Sequence, residues 1–149
     1  MRRYFVIGNP IEHSLSPELH NFWIKKNNIN AIYKKIKLED TELKDFINKL
    51  RNEEIHGINV TVPFKNKVIK YLDKLSLEVE TTDSVNTIYK SGDDIIYNPK
   101  ETQFLKKAKE NGNRIENGKF MFIYQANQSF SIWNNVIPKI DEEVLKILE

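Results

Sequence analysis

Apolar and polar positions change period several times along the chain, and those changes predict an alternation of short strands and helices. Residues 3–7, apolar after Arg3 and closed by the turn formers Gly8-Asn9-Pro10, predict a first strand. After a polar loop, Ser16-Pro17 reads as a helix start, serine at the N-cap and proline at the first helical position. Leu19, Phe22 and Trp23 then recur at helical spacing. Residues 31–37 alternate Ile32, Tyr33 and Ile36 among lysines, as a strand does. Residues 41–50 carry the clearest helical pattern, Leu43, Phe46, Ile47 and Leu50 at i, i+3, i+4 and i+7. A strand through residues 59–62 follows, with Val60 and Val62 expected on one face and Asn59 and Thr61 on the other.

The second half predicts short helices at 66–72 and 76–81, then a strand at 83–89 that returns through Ser91-Gly92-Asp93 as a hairpin with 95–97. A helix at 101–111 stops at Gly112, and a polar linker fills 113–118. Residues 120–124 read as a buried strand, 125–135 as a helix around Phe130 and Trp133, and 141–148 as a last helix. Strands separated by helices imply an α/β fold, a three-layer sandwich in which helices flank a mixed, mostly parallel sheet. With 149 residues there is room for one domain with a proper core.

Charge narrows the partners. Net charge is only +2 and the lysines are dispersed, so nucleic acid has no electrostatic footprint to bind. The basic N-terminus leads into an apolar run too short for a signal peptide or a membrane span. The absence of cysteine excludes disulfides and thiolate metal sites, and fits a cytoplasmic location. His13, His20 and His56 are too scattered to suggest a metal site, and His20 reads as a helix-face residue.

Candidate chemistry gathers around residues 59–65. Pro63 cannot donate to a ladder, so the strand should end there, with Lys65 just beyond it and Asn66 available as a helix cap. An amide, a hydroxyl and an ammonium are thereby aimed at the carboxyl end of a strand, where open α/β sheets bind ligands. A polyhydroxylated carboxylic acid would suit them. An ordinary strand followed by a surface lysine explains this stretch equally well. Capping is a sufficient role for Ser16, whereas Ser14 has no such structural duty.

Three separated motifs, in order, resemble the shikimate dehydrogenase family: residues 8–17 with His20-Asn21, residues 57–65, and Val85-Asn86-Thr87-Ile88. A fourth lies at Gln125-Ala126 with Phe130 and Trp133. The resemblance covers nearly the whole chain. It implies the substrate-binding half of an enzyme that interconverts 3-dehydroshikimate and shikimate with NADPH. It also implies that Ser14 and Ser16 hold the substrate carboxylate and that Asn59, Thr61 and Lys65 contact ring hydroxyls. Asn86, Tyr97 and Gln125 would complete the pocket, and Lys65 would be the catalytic proton carrier.

The chain departs from the family where a nucleotide-binding domain would be inserted. Its five glycines (Gly8, Gly57, Gly92, Gly112, Gly118) include no pair spaced for a phosphate loop, and such a domain needs on the order of 100 residues. The expected organisation is a substrate domain made of 1–92 and 119–149, with 93–118 a remnant of a deleted NADP-binding domain. Tyr97-Asn98 can be read as the family's sequence on either side of that deletion. The forward reading puts Lys100 where the family has the aspartate that partners the catalytic lysine. Such a chain would bind shikimate or 3-dehydroshikimate, hold no cofactor of its own, and not transfer hydride alone. It could instead be a shikimate- or quinate-binding regulatory module, or one that pairs with a separate nucleotide-binding chain. The apolar face of the 101–111 helix would need cover, on the main sheet or in a homodimer.

Overall fold

The computed structural model describes residues 1–74, 84–99 and 118–148. Five strands, β1 (Arg2–Gly8), β2 (Ala31–Lys37), β3 (Gly57–Val60), β4 (Val85–Ser91) and β5 (Asp94–Pro99), form one sheet in the order β2-β1-β3-β4-β5. The β1–β2 and β1–β3 pairs are parallel, and the β3–β4 and β4–β5 pairs antiparallel. The described α-helices are α1 (Ser16–Lys26), α2 (Leu43–Arg51), α3 (Gly118–Asn134) and α4 (Glu142–Ile147).

Alternation along β1 builds two cores. Ile7 packs with Ile58, Val60, Ile88 and the buried face of α2, whereas Tyr4 and Val6 face the other way, toward α1, α3 and α4. The sheet is therefore the middle of three layers. Because Ile58 and Val60 belong to the α2 side, Gly57 and Asn59 must face α1 and α3. A Cβ on Gly57 would lie 2.4 Å from Cε2 of Trp133 on α3. The bare backbone is what lets α3 settle on β3. On edge strand β2, the Asn21 side chain accepts from the Tyr33 N–H (2.9 Å) and donates to the Tyr33 carbonyl (2.8 Å), so α1 is clamped to the sheet.

Several expectations need correction. Residues 120–124 are not a strand but part of α3, in which Ile123, Ala126 and Phe130 recur as the buried stripe. A short apolar run does not distinguish the two by period alone, and continuity with the helix after it decides the matter. Residues 66–72 form no α-helix, only a 3₁₀ turn at Ile69–Tyr71. The 41–50 helix opens with a separate 3₁₀ turn, Asp40–Glu42, before α2. β3 ends at Val60, and Val62 is 65% exposed, so Val60 and Val62 do not share a buried face. The hairpin expected at 95–97 is present: Asp94–Pro99 returns antiparallel to β4 as a strand of the main sheet. The helices expected at 76–81 and 101–111, with the apolar face of the latter, lie outside the described residues.

β4 contains an irregularity that matters for the site. From Val85 to Thr87 the strand advances two residues while β5 advances one, from Pro99 to Asn98. Asn86 is thus the extra residue of a β-bulge, a device that re-aims side chains. Val85 and Ile88 both reach the α2 core, and the two polar residues between them, Asn86 and Thr87, are released to the opposite side.

Candidate functional site

A cavity of about 300 Å³ opens where the carboxyl ends of β1 and β3 meet the start of α1 and one face of α3. It is at the small end of the range for small-molecule pockets, roughly 300–1,000 Å³. The loop after β1 contributes Pro10, Ile11, His13 and Ser14, and α1 contributes Ser16 and His20. From β3 and the turn beyond it come Asn59, Val60, Thr61 and Lys65; β4 adds Asn86 and Thr87; α3 adds Phe122, Gln125 and Ala126. The two loops at the strand ends are laced together. Thr61 N–H donates to the Ile7 carbonyl and Asn9 N–H to the Val62 carbonyl, both at 3.0 Å. A Cβ on Gly8 would stand 2.5 Å from the Thr61 methyl, so glycine permits that close approach. Asn9-Pro10 and Val62-Pro63 are both cis.

Seven of the eight sequence candidates, Ser14, Ser16, Asn59, Thr61, Lys65, Asn86 and Gln125, line this one cavity. The eighth, Tyr97, is placed only by its backbone, opposite Ile88; its expected ligand contact lies outside the described residues. The division of labour between the serines differs from expectation. Leu15, not Ser16, is the N-cap of α1 and makes no side-chain cap, while the Ser14 hydroxyl accepts from the Ser16 N–H at 3.4 Å. Ser14 therefore has the local backbone role.

Among the described residues no carboxylate lines the cavity, and its polar lining is one lysine together with hydroxyls, amides and imidazoles. Such a lining favours an anion with several hydroxyls over a cation. One buried donor, Asn86 Nδ2, has no protein partner among the described residues, although it belongs to the cavity wall. An orphan of that kind is costly unless a ligand or water completes it.

Sequence reasoning missed Thr87 and His20. The available signal for Thr87 was its pairing with Asn86 between two core residues; for His20 it was the adjacent Asn21, whose clamp on β2 holds the middle of α1 to the sheet. His20 is fully buried, stacked on Tyr33 at 4.1 Å and edge-on to Trp23, and both its ring nitrogens lack partners among the described residues. Burial pushes its pKa from 6.5 down to about 3. The unfolded chain therefore takes up this proton first, and stability falls as pH drops from about 6.5 toward 3. The expected slope from this residue is up to about 1.4 kcal/mol per pH unit. Urea denaturation between pH 7.5 and 5 should show that slope, and His20→Gln should flatten it.

A dinucleotide finds no matching cradle among the described residues. The loop between β1 and α1 contains no glycine, and Gly57 and Gly92 serve helix packing and a hairpin turn. The residues present do not fit that group.

Comparisons agree with the geometry. Residues 6–88 match the model of the shikimate dehydrogenase substrate binding domain. A shikimate dehydrogenase (NADP(+)) of Pelagibacter ubique is 32% identical, over 99% of both chains. That alignment runs 262 residues against 149 here, so much of the relative's length has no counterpart in this chain. The Pyrococcus furiosus shikimate dehydrogenase is 48% identical over 57% of this chain and 31% of its own. The crystal structure of shikimate 5-dehydrogenase from Listeria monocytogenes, in complex with shikimate and NAD, matches with a TM-score of 0.67 at 29% identity. This match covers 87% of the present chain but 48% of the Listeria chain. Among the described residues no helix is long and apolar enough to cross a membrane.

Proposed function

The chain belongs to the shikimate dehydrogenase family, and we propose that it binds shikimate or 3-dehydroshikimate in the cavity between β3 and α3 without transferring hydride by itself. The observation that carries this reading is the convergence of Ser14, Ser16, Thr61, Lys65, Asn86 and Gln125 on a small cavity to which the described residues contribute no carboxylate. In it, Ser14 and Ser16 sit at the end suited to the ligand carboxylate. Lys65, Asn86 and Gln125 face its ring, and Lys65 holds a proton near one ring oxygen. Neutral donors and acceptors of this kind discriminate by hydroxyl pattern, because an analogue lacking one hydroxyl leaves a buried polar group unpaired.

Loss of an internal nucleotide-binding block belongs to the same proposal. It is supported by the alignment to the Pelagibacter relative, which reaches both ends of both chains despite their difference in length. A cytoplasmic location is part of this reading. The test is calorimetric titration of the intact chain with shikimate and, separately, with NADPH, alongside an assay of turnover. Heat with shikimate, none with NADPH and no turnover are expected. Binding of NADPH without shikimate would overturn the proposal.

A further inference from the structure

Asn59 stands at the centre of the cavity wall, yet its side chain is largely spent inside the protein. An amide offers two N–H protons and an oxygen with two lone pairs. Nδ2 donates to Thr87 Oγ1 at 3.1 Å and toward the Asn86 carbonyl at 3.4 Å. Oδ1 accepts from the Tyr33 hydroxyl at 2.7 Å, with Ser129 Oγ a further 3.4 Å neighbour. Tyr33 and Ser129 are both buried, so these partners do not exchange with water. Asn59 has no proton left to give a ligand.

The consequence falls on Thr87. Its oxygen accepts from Asn59, so its single proton must be given elsewhere. Among the described residues nothing accepts it, and Thr87 is only 4% exposed while lining the cavity beside the bulge residue Asn86. A buried hydroxyl in that state is completed by an oxygen in the cavity, from water when it is empty and from a ligand that displaces the water.

We propose that Thr87 is a specificity-determining ligand contact, donating its hydroxyl to one ring oxygen of the bound polyhydroxylated acid, and that Asn59 is the positioning residue that sets its orientation. Tyr33, from β2, fixes Asn59 in turn. The assignment rests on the shikimate-binding reading above.

Titration of wild type, Thr87→Val and Thr87→Ser with shikimate, and with analogues each lacking one ring hydroxyl, tests it. Valine keeps the shape and removes the donor; serine keeps the donor. We expect Thr87→Val to weaken shikimate about 5- to 50-fold and Thr87→Ser by no more than about threefold. For the one analogue that lacks the hydroxyl Thr87 contacts, the valine substitution should cost almost nothing, and Asn59→Ala should erase selectivity against that same analogue. Thermal denaturation of each variant checks folding. Unchanged shikimate affinity in Thr87→Val, or equal weakening of every ligand, overturns the proposal while leaving the parent reading intact. Failure of the wild type to bind shikimate overturns both.

Discussion

Aspartate in place of Asn59 is expected to remove shikimate binding at neutral pH and to cost about 2–3 kcal/mol of folding stability. The two side chains have the same shape, so no cavity or clash confuses the result. What changes is the atom that faces Thr87 Oγ1 and the Asn86 carbonyl, now a donor at 3.1 and 3.4 Å. A carboxylate oxygen there would meet a carbonyl oxygen with no proton between them. It would also add a negative charge to a cavity proposed to hold an anion, which Lys65 on the same wall offsets only in part. Burial raises the pKa of such a carboxyl, so the variant's deficit relative to wild type should shrink as pH falls and the group becomes protonated. Urea denaturation of both proteins at pH 7 and pH 5 measures this difference. A variant as stable as wild type at pH 7 would mean that the amide protons are not committed as described.

Gly57→Ala should lower the melting temperature by roughly 5–10 °C, corresponding to about 2–3 kcal/mol of overpacking. The added methyl would lie 2.4 Å from Cε2 and 2.5 Å from Nε1 of Trp133. The indole has little freedom to withdraw. It stacks on Tyr4 at 4.8 Å with an interplanar angle of 7°, and the Tyr4 hydroxyl donates to Asn134 Oδ1 at 3.0 Å one residue further along α3. Relief must come from α3 shifting away from β3, and α3 carries Gln125 and Ala126 into the cavity. The same substitution should therefore weaken ligand binding although Gly57 does not line the site. Scanning calorimetry reads the first effect and titration the second; a change of less than about 1 °C would show that the helix is not seated on bare backbone.

What the sequence discloses depends on whether the cause is local. The α2 stripe of Leu43, Phe46, Ile47 and Leu50 is legible because one helix face carries its own period. β1 and β2 are legible because a run of apolar residues ends at turn formers or alternates among lysines. The apolar residues of 120–124 mislead because a buried helix and a buried strand look alike over five positions. The candidate site was legible as a set of residue types at motif spacings, and seven of its members do meet in one cavity. Their duties were less legible. That Ser14 rather than Ser16 bonds the first turn of α1 follows from backbone geometry at Leu15. That Asn59 is spent on Tyr33 and Thr87 follows from strand pairing, since those residues lie 26 and 28 positions away. The bulge that turns both Asn86 and Thr87 to one side leaves no mark on the pattern, because both residues are polar and either could have been the one displaced.

The measurement that bears most directly on all of this is a shikimate isotherm on the intact chain near neutral pH, repeated with Asn59→Asp. Saturable binding at one site per chain, lost in the variant while NADPH gives no heat in either protein, is the predicted result. No shikimate binding by a folded wild-type chain would contradict the account at its centre.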